Sequence, residues 1–166
     1  MSKIWVISDT HFFHKKIIEY EQRPENYNEL MIKNWNSMIE WNDTVIHLGD
    51  LIFQKSPSVL EQLTGNIILV RGNHDRETIN WYLSHGIKFV VDKFTLNIYG
   101  LNILFTHIPE PKLSSEIDLN IHGHLHRKSH RETGIADYET SGKYKLFSIE
   151  MENYKPVLLE SFLTRK

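Results

Sequence analysis

Histidine, aspartate and one asparagine are spaced in this chain as metal-binding and proton-moving groups are. Asp9 and His11 are one residue apart, His124 and His126 likewise, and Asp50, Asn73 and His107 add further oxygen and imidazole donors. The chain holds ten histidines and no cysteine, which excludes disulfides, thiolate metal sites and a cysteine nucleophile. Imidazole mixed with carboxylate and amide oxygen suits manganese, iron, zinc, nickel or cobalt. A magnesium-only site would use more oxygen, and a structural zinc site is four-coordinate and often rich in cysteine. The candidates Asp9, His11, Asp50, Asn73, His107, His124 and His126 are too many for one tetrahedral ion and fit two ions sharing a carboxylate.

These residues need elements that bring them together, and the sequence offers them. Short apolar runs end directly in the chemically active residues. Lys3–Ser8 precedes Asp9-Thr10-His11, Thr44–Leu48 precedes Gly49-Asp50, and Asn66–Val70 precedes Gly72-Asn73-His74-Asp75. Leu101–Thr106 runs into His107, and Asp118–Ile121 into His122-Gly123-His124-Leu125-His126. Asp, Asn and Gly after a strand are ordinary turn residues, but turns do not call for histidine. In an open α/β sheet, functional groups collect at the carboxyl ends of strands, so distant endings can meet in one crevice.

The first half alternates strand and helix. Tyr27–Ile39 reads as an amphipathic helix, Pro57–Leu63 as a short one, and Arg76–Ser84 as another closed by Gly86. The second half reads as strands in quick succession: Lys88–Val91, Phe94–Tyr99, Leu101–Thr106, Asp118–Ile121, Tyr144–Glu150 and Pro156–Phe162, with a tight turn at Tyr99-Gly100 and no evident helix. Arg127–Lys143 reads as a polar loop or exposed hairpin. The expectation is an α/β half joined to a β-rich half.

The ordered blocks D-x-H, G-D, G-N-H-D, H and G-H-x-H resemble those of calcineurin-like metallophosphoesterases, in their small prokaryotic or phage form. The resemblance implies an α/β fold, a sandwich of two mixed β-sheets flanked by helices, as a single domain over residues 1–166. It implies that Asp9, His11 and His126 hold one metal, Asn73, His107 and His124 a second, and that Asp50 bridges them. His74 would face the substrate and assist the leaving group, with His74 and Asp50 as the catalytic pair. The implied activity is hydrolysis of phosphodiesters or phosphomonoesters by a hydroxide between two divalent ions. Manganese is the first choice, with iron, nickel, cobalt or zinc as alternatives.

Composition narrows the partners. The net charge is −2, from 19 basic and 21 acidic residues, so no strong basic field holds nucleic acid. The expected substrate is a small phosphate ester or a nucleotide. A nuclease acting on DNA or RNA is the rival enzyme, with Lys15-Lys16 and Arg127-Lys128 as a local basic rim, and a metal-binding scaffold is the non-enzymatic rival. No run is long enough to span a membrane, and the expected location is the cytoplasm. Among the other histidines, His14 could line the cleft, His122 reads as support for a ligand, and His47 as a buried histidine. His85 and His130 read as solvent-facing. Phe12, Phe13 and Phe53 could stack on a base or pack in the core, with the core as the default for an aromatic residue near a strand end.

Overall fold

A computed structural model describes residues 2–54, 56–127 and 133–165. The apolar runs form two sheets. In the first, β1 (Ile4–Ile7), β2 (Thr44–His47), β3 (Asn66–Val70) and β4 (Phe89–Val91) lie parallel, and β9 (Val157–Leu158) pairs antiparallel with β1. The second sheet has the order β5 (Phe94–Ile98), β6 (Leu101–Phe105), β7 (Leu119–His122), β8 (Tyr144–Leu146). Its first pair is antiparallel and the rest parallel. The architecture is therefore α/β, two mixed sheets with flanking helices.

The connections follow the local sequence. Helix α2 (Tyr27–Met38) buries Tyr27, Met31 and Trp35, a spacing that stacks them on one face. Trp35 adds an Nε1–H bond to the Thr64 carbonyl (2.8 Å), so burial leaves no orphaned indole donor. Helix α3 (Pro57–Leu60) begins on a proline, and α4 (Ile79–Ser84) begins at Thr78, whose hydroxyl accepts from the Trp81 N–H. At the other end of α4, the Ile87 N–H reaches back to Tyr82 O past Gly86 (φ 96°). The β5–β6 turn has positive φ at Tyr99 (54°) and Gly100 (77°), as a two-residue hairpin turn requires.

Several expected boundaries are corrected. The Pro156–Phe162 strand shrinks to β9, and Leu159–Thr164 forms helix α5. Leu159 and Phe162 are its buried residues, a three-residue helical spacing that an apolar run conceals. The Tyr144–Glu150 strand ends at Leu146, after which the chain turns and carries Glu150 inward. Between β1 and α2 the chain also forms a short helix, α1 (Ile17–Glu21), which the sequence pattern does not announce and which buries Ile17 and Glu21 four residues apart. The strand at Lys88–Val91 belongs to the first sheet, beside β3. The Arg76–Ser84 helix starts three residues later than its expected first residue, at Ile79, directly after the Thr78 cap. No strand forms over the described part of Arg127–Lys143. His130 and Lys128 lie outside the described residues.

The register aligns the strand ends. Ile7 pairs with His47 and His47 with Leu69, so β1, β2 and β3 release the chain on the same side. In the second sheet Phe105 pairs with Ile121. The buried core includes Val6, Ile46 and Leu69 on strands of the first sheet, Phe105 and Ile121 on strands of the second, and Phe147 just after β8, each at most 1% exposed.

Candidate metal centre

Beyond the strands the chain continues to pair, but in a bent form. The Asp9 N–H donates to Gly49 O (3.0 Å), His11 N–H to Asp50 O (2.8 Å) and Phe12 N–H to Leu51 O (3.0 Å). Asp9, His11, Asp50, His124 and His126 all have positive φ, between 48° and 70°. Asp and His enter this region more readily than β-branched residues do, and such conformations persist where the surroundings enforce them. The backbone thus turns its side chains toward one point instead of alternating them across a sheet.

Glycines make the approach possible. A side chain at Gly49 would bring its Cβ within 2.6 Å of Gly72 N and 2.7 Å of His107 Nδ1. At Gly123 it would overlap Ser8 Oγ and Asp9 Oδ2.

Two groups of donors result. Asp9, His11 and His126 form one, and Asp50, His107 and His124 the other, with the ligand atoms of each within 4.8 Å of one another. Asp50 Oδ2 lies 3.4 Å from both His11 Nε2 and His107 Nε2, so one carboxylate oxygen belongs to both groups. Asn73 joins the second group through Oδ1, 3.1 Å from His107 Nε2, and His124 Nδ1 is 3.2 Å from the same nitrogen. Each group draws on both sheets: Asp9, His11, Asp50 and Asn73 follow strands of the first, and His107, His124 and His126 strands of the second.

Many of the remaining atoms of these side chains are held by the protein, which orients the open ones; His11 Nδ1 is an exception, buried without a hydrogen-bond partner. Asp9 Oδ2 accepts from Ser8 Oγ (2.5 Å) and from the His124 N–H (2.9 Å), leaving Oδ1 without a partner. Asp50 Oδ1 accepts the His74 N–H (2.8 Å). His107 Nδ1 donates to Leu48 O (2.8 Å) and His126 Nδ1 to Glu150 Oε1 (3.0 Å), which points the Nε2 lone pairs inward. His11 Nε2, like Asp9 Oδ1, is buried without a hydrogen bond. Orphaned buried acceptors are costly, about 1–3 kcal/mol each, and a cation is what this donor set fits.

The electrostatics agree. Burial works against charge on His107, but its contact with Asp50 and the charges of Asp9 and Asp50 outweigh burial and raise its pKa to about 9. Burial also opposes ionised Asp50, yet His107, His11 and the His74 N–H hold it well below the usual carboxylate range. The carboxylates therefore create a strong demand for positive charge.

A buried ion pair stands behind the first group. Arg23 and Glu150 have fully buried side chains and meet at 2.6 Å. Arg23 also donates to Thr10 O (2.8 Å) and Asp9 O (2.7 Å), while Glu150 accepts from His126 and from Ser148 Oγ (3.0 Å). One pair thus ties the Asp9–His11 segment to His126. Glu21 approaches the same side of His126 and Glu150, where Arg23 supplies the positive charge. Behind the second group, Asp75 accepts the N–H groups of Asp50 (2.7 Å), Leu51 (3.0 Å) and Gly72 (2.8 Å). Burial, aided by the charge of Asp50, pushes its pKa up to about 6. Arg23 and Glu150 escape sequence reading because nothing local marks them; Asp75 falls inside the G-N-H-D block, which by itself assigns it no role.

The other histidines divide clearly. His47 is buried in β2, accepting the Gly49 N–H (3.1 Å) and facing Thr10 Oγ1 (3.0 Å). His122 donates to Gly123 O (2.9 Å) and faces the Tyr138 hydroxyl (2.7 Å). Neither enters a candidate metal group. His74 stands outside both groups, its ring 5.6 Å from that of His11 and its Nδ1 buried without a partner. His14 lies 5.4 Å from His11 and stacks on Phe53, with centroids 3.9 Å apart and planes 8° apart. His85 is partly buried against Trp81 (4.6 Å), contrary to a solvent-facing role. Phe12 is fully buried, but Phe53 is 44% exposed, so the core expectation fails for it.

Known proteins are similar to this chain in sequence and fold. An uncharacterized protein of Methanocaldococcus jannaschii is 37% identical over 170 residues, covering 96% of this chain and 89% of that protein. The crystal structure of a protein of unknown function from Aquifex aeolicus has a TM-score of 0.80 at 25% identity, covering 97% of each chain. A novel archaeal phosphodiesterase has a TM-score of 0.51 at 26% identity, over 76% of this chain and 74% of that one. Residues 2–145 match the calcineurin-like phosphoesterase superfamily domain, and the chain belongs to that superfamily.

Proposed function

We propose that the chain hydrolyses phosphodiesters or phosphomonoesters of small molecules or nucleotides with two divalent cations. Asp9, His11 and His126 would hold one, Asn73, His107 and His124 the other, and Asp50 would span both. The observation that carries this reading is the single oxygen, Asp50 Oδ2, at 3.4 Å from one imidazole of each group. When bound, the cations would lower the pKa of water toward neutrality and stabilise charge on the phosphoryl oxygens. Manganese is the proposed ion, from the mixed imidazole, carboxylate and amide donors. Diesters are favoured by the likeness to the archaeal phosphodiesterase.

The chain's own residues do the rest. Ser8 and the His124 N–H fix one oxygen of Asp9, and Leu48 O and Glu150 fix the tautomers of His107 and His126. The His74 backbone is tied to Asp50 Oδ1, which sets its imidazole beside the centre but outside the ligand groups. From there His74 gives a proton to the leaving oxygen as its bond to phosphorus breaks. General acid help of this kind is worth about 10²–10⁴-fold.

The test pairs two substitutions on manganese-loaded protein. His74→Ala should lower turnover of an alkyl ester by about that factor while both metals stay bound. Asp50→Ala should lose metal together with activity. Full activity of His74→Ala on an ester with a poor leaving group would remove the proposed acid.

A further inference from the structure

A cavity of about 140 Å³ shares a wall with the candidate metal centre and is bounded by Ile52, Phe53, Gln54, His74, Arg76 and Glu77. We propose that it is a subsite for one neutral, planar, hydrogen-bonding ring carried by the substrate's alcohol, so that the ester cleaved is that of a single nucleoside. This rests on the phosphoesterase reading and narrows it to a substrate class.

Position comes first. His74 lines both the cavity and the space beside His11, so an alcohol protonated by His74 would lead directly into the cavity. A larger cavity of about 500 Å³ shares Gln54, but none of its lining residues is a candidate catalytic group or metal ligand.

The wall is built for a flat ring. Phe53 keeps 44% of its surface exposed although it follows the buried residues Leu51 and Ile52. Its backbone is pinned by an N–H bond to Phe12 O (2.9 Å), and His14 stacks at 3.9 Å on its ring. His74 stands 5.6 Å from the same ring. An exposed aromatic ring, braced by a second ring and beside a polar cleft, is the arrangement used to stack bases.

Size and polarity restrict the occupant further. Pockets for drug-sized ligands run to about 300–1,000 Å³, so this one suits a single ring system and not a polymer. Gln54 offers both a donor and an acceptor, Arg76 donors and Glu77 an acceptor. Those groups match the edge of a nucleobase better than a plain aryl ring.

The test uses inhibition of bis(4-nitrophenyl) phosphate hydrolysis by the manganese-loaded protein. Adenosine 5′-monophosphate carries a base where ribose 5-phosphate carries its anomeric hydroxyl. The first should inhibit about tenfold more tightly, as expected of one stacked ring. Phe53→Ala should erase that gap without changing metal content or inhibition by ribose 5-phosphate, and Phe53→Tyr should restore it. Equal inhibition in the unmodified protein, or an equal loss for both compounds in Phe53→Ala, would overturn the subsite. Absence of any hydrolysis would instead count against the phosphoesterase reading. The same pair is then compared by calorimetric binding to the manganese-loaded protein, where the gap must still be found for the subsite to stand.

Discussion

Replacing Glu150 with Gln tests whether a buried ion pair holds half of the metal centre in place. The carboxylate accepts from Arg23 Nε (3.0 Å) and Nη2 (2.6 Å), from His126 Nδ1 (3.0 Å) and from Ser148 Oγ (3.0 Å). Burial opposes its charge, but His126 and Arg23 outweigh burial and hold its pKa well below the usual carboxylate range. Hydrogen bonds to charged groups contribute about 1.5–3 kcal/mol each, and Arg23 makes two to this oxygen. Stranding a buried partner costs about 3–5 kcal/mol. Gln retains one acceptor oxygen, so the lower end of that range is expected, read from urea unfolding of metal-free protein at neutral pH. Arg23→Met should cost as much, and the double variant less than the two together, because the pair is one unit. The same change should weaken metal binding at Asp9, His11 and His126 by about 10–100-fold and spare the other group. A loss of under about 1 kcal/mol, or equal weakening at both groups, would refute the reasoning.

Two further outcomes follow from the same geometry. Burial holds the pKa of His47 at about 3 and of His122 at about 4, so their imidazole NMR signals should not titrate between pH 7 and pH 5; a midpoint near the usual 6.5 in either would contradict the hydrogen bonds described. Since the unfolded chain takes up these protons first, each histidine removes about 1.4 kcal/mol of stability per pH unit as pH falls below 6.5 toward its folded value. Gly123→Ala should push Asp9 out of place, costing about 1–3 kcal/mol of stability and the cation of the first group. Unchanged metal content, read by elemental analysis, would show that Asp9 can yield without consequence.

Legibility in the sequence follows the range of the interactions. The strand endings were readable because an apolar run and the residue after it are neighbours in the chain. The α2 helix was readable because Tyr27, Met31 and Trp35 repeat at a helical interval. Helix α5 was not, since its apolar residues merge with those of β9 in one run. The Arg23–Glu150 pair was illegible for another reason: its members are 127 residues apart, and each alone resembles an ordinary surface charge. Phe53 departs from the core default because residue type cannot distinguish a ring in the core from one left exposed beside a cleft.

Each candidate metal group takes side chains from both sheets, at the end where the strands release their chain. Ions bound there would act as a clasp, fastening one edge of the sandwich more firmly than packing alone. Their binding energy would add to the cohesion of the fold, because the unfolded chain has no preformed site to compete for them. Resistance to proteolysis would then follow metal supply. A cell short of the ion would lose the catalyst twice over: first as activity, and then as surviving protein.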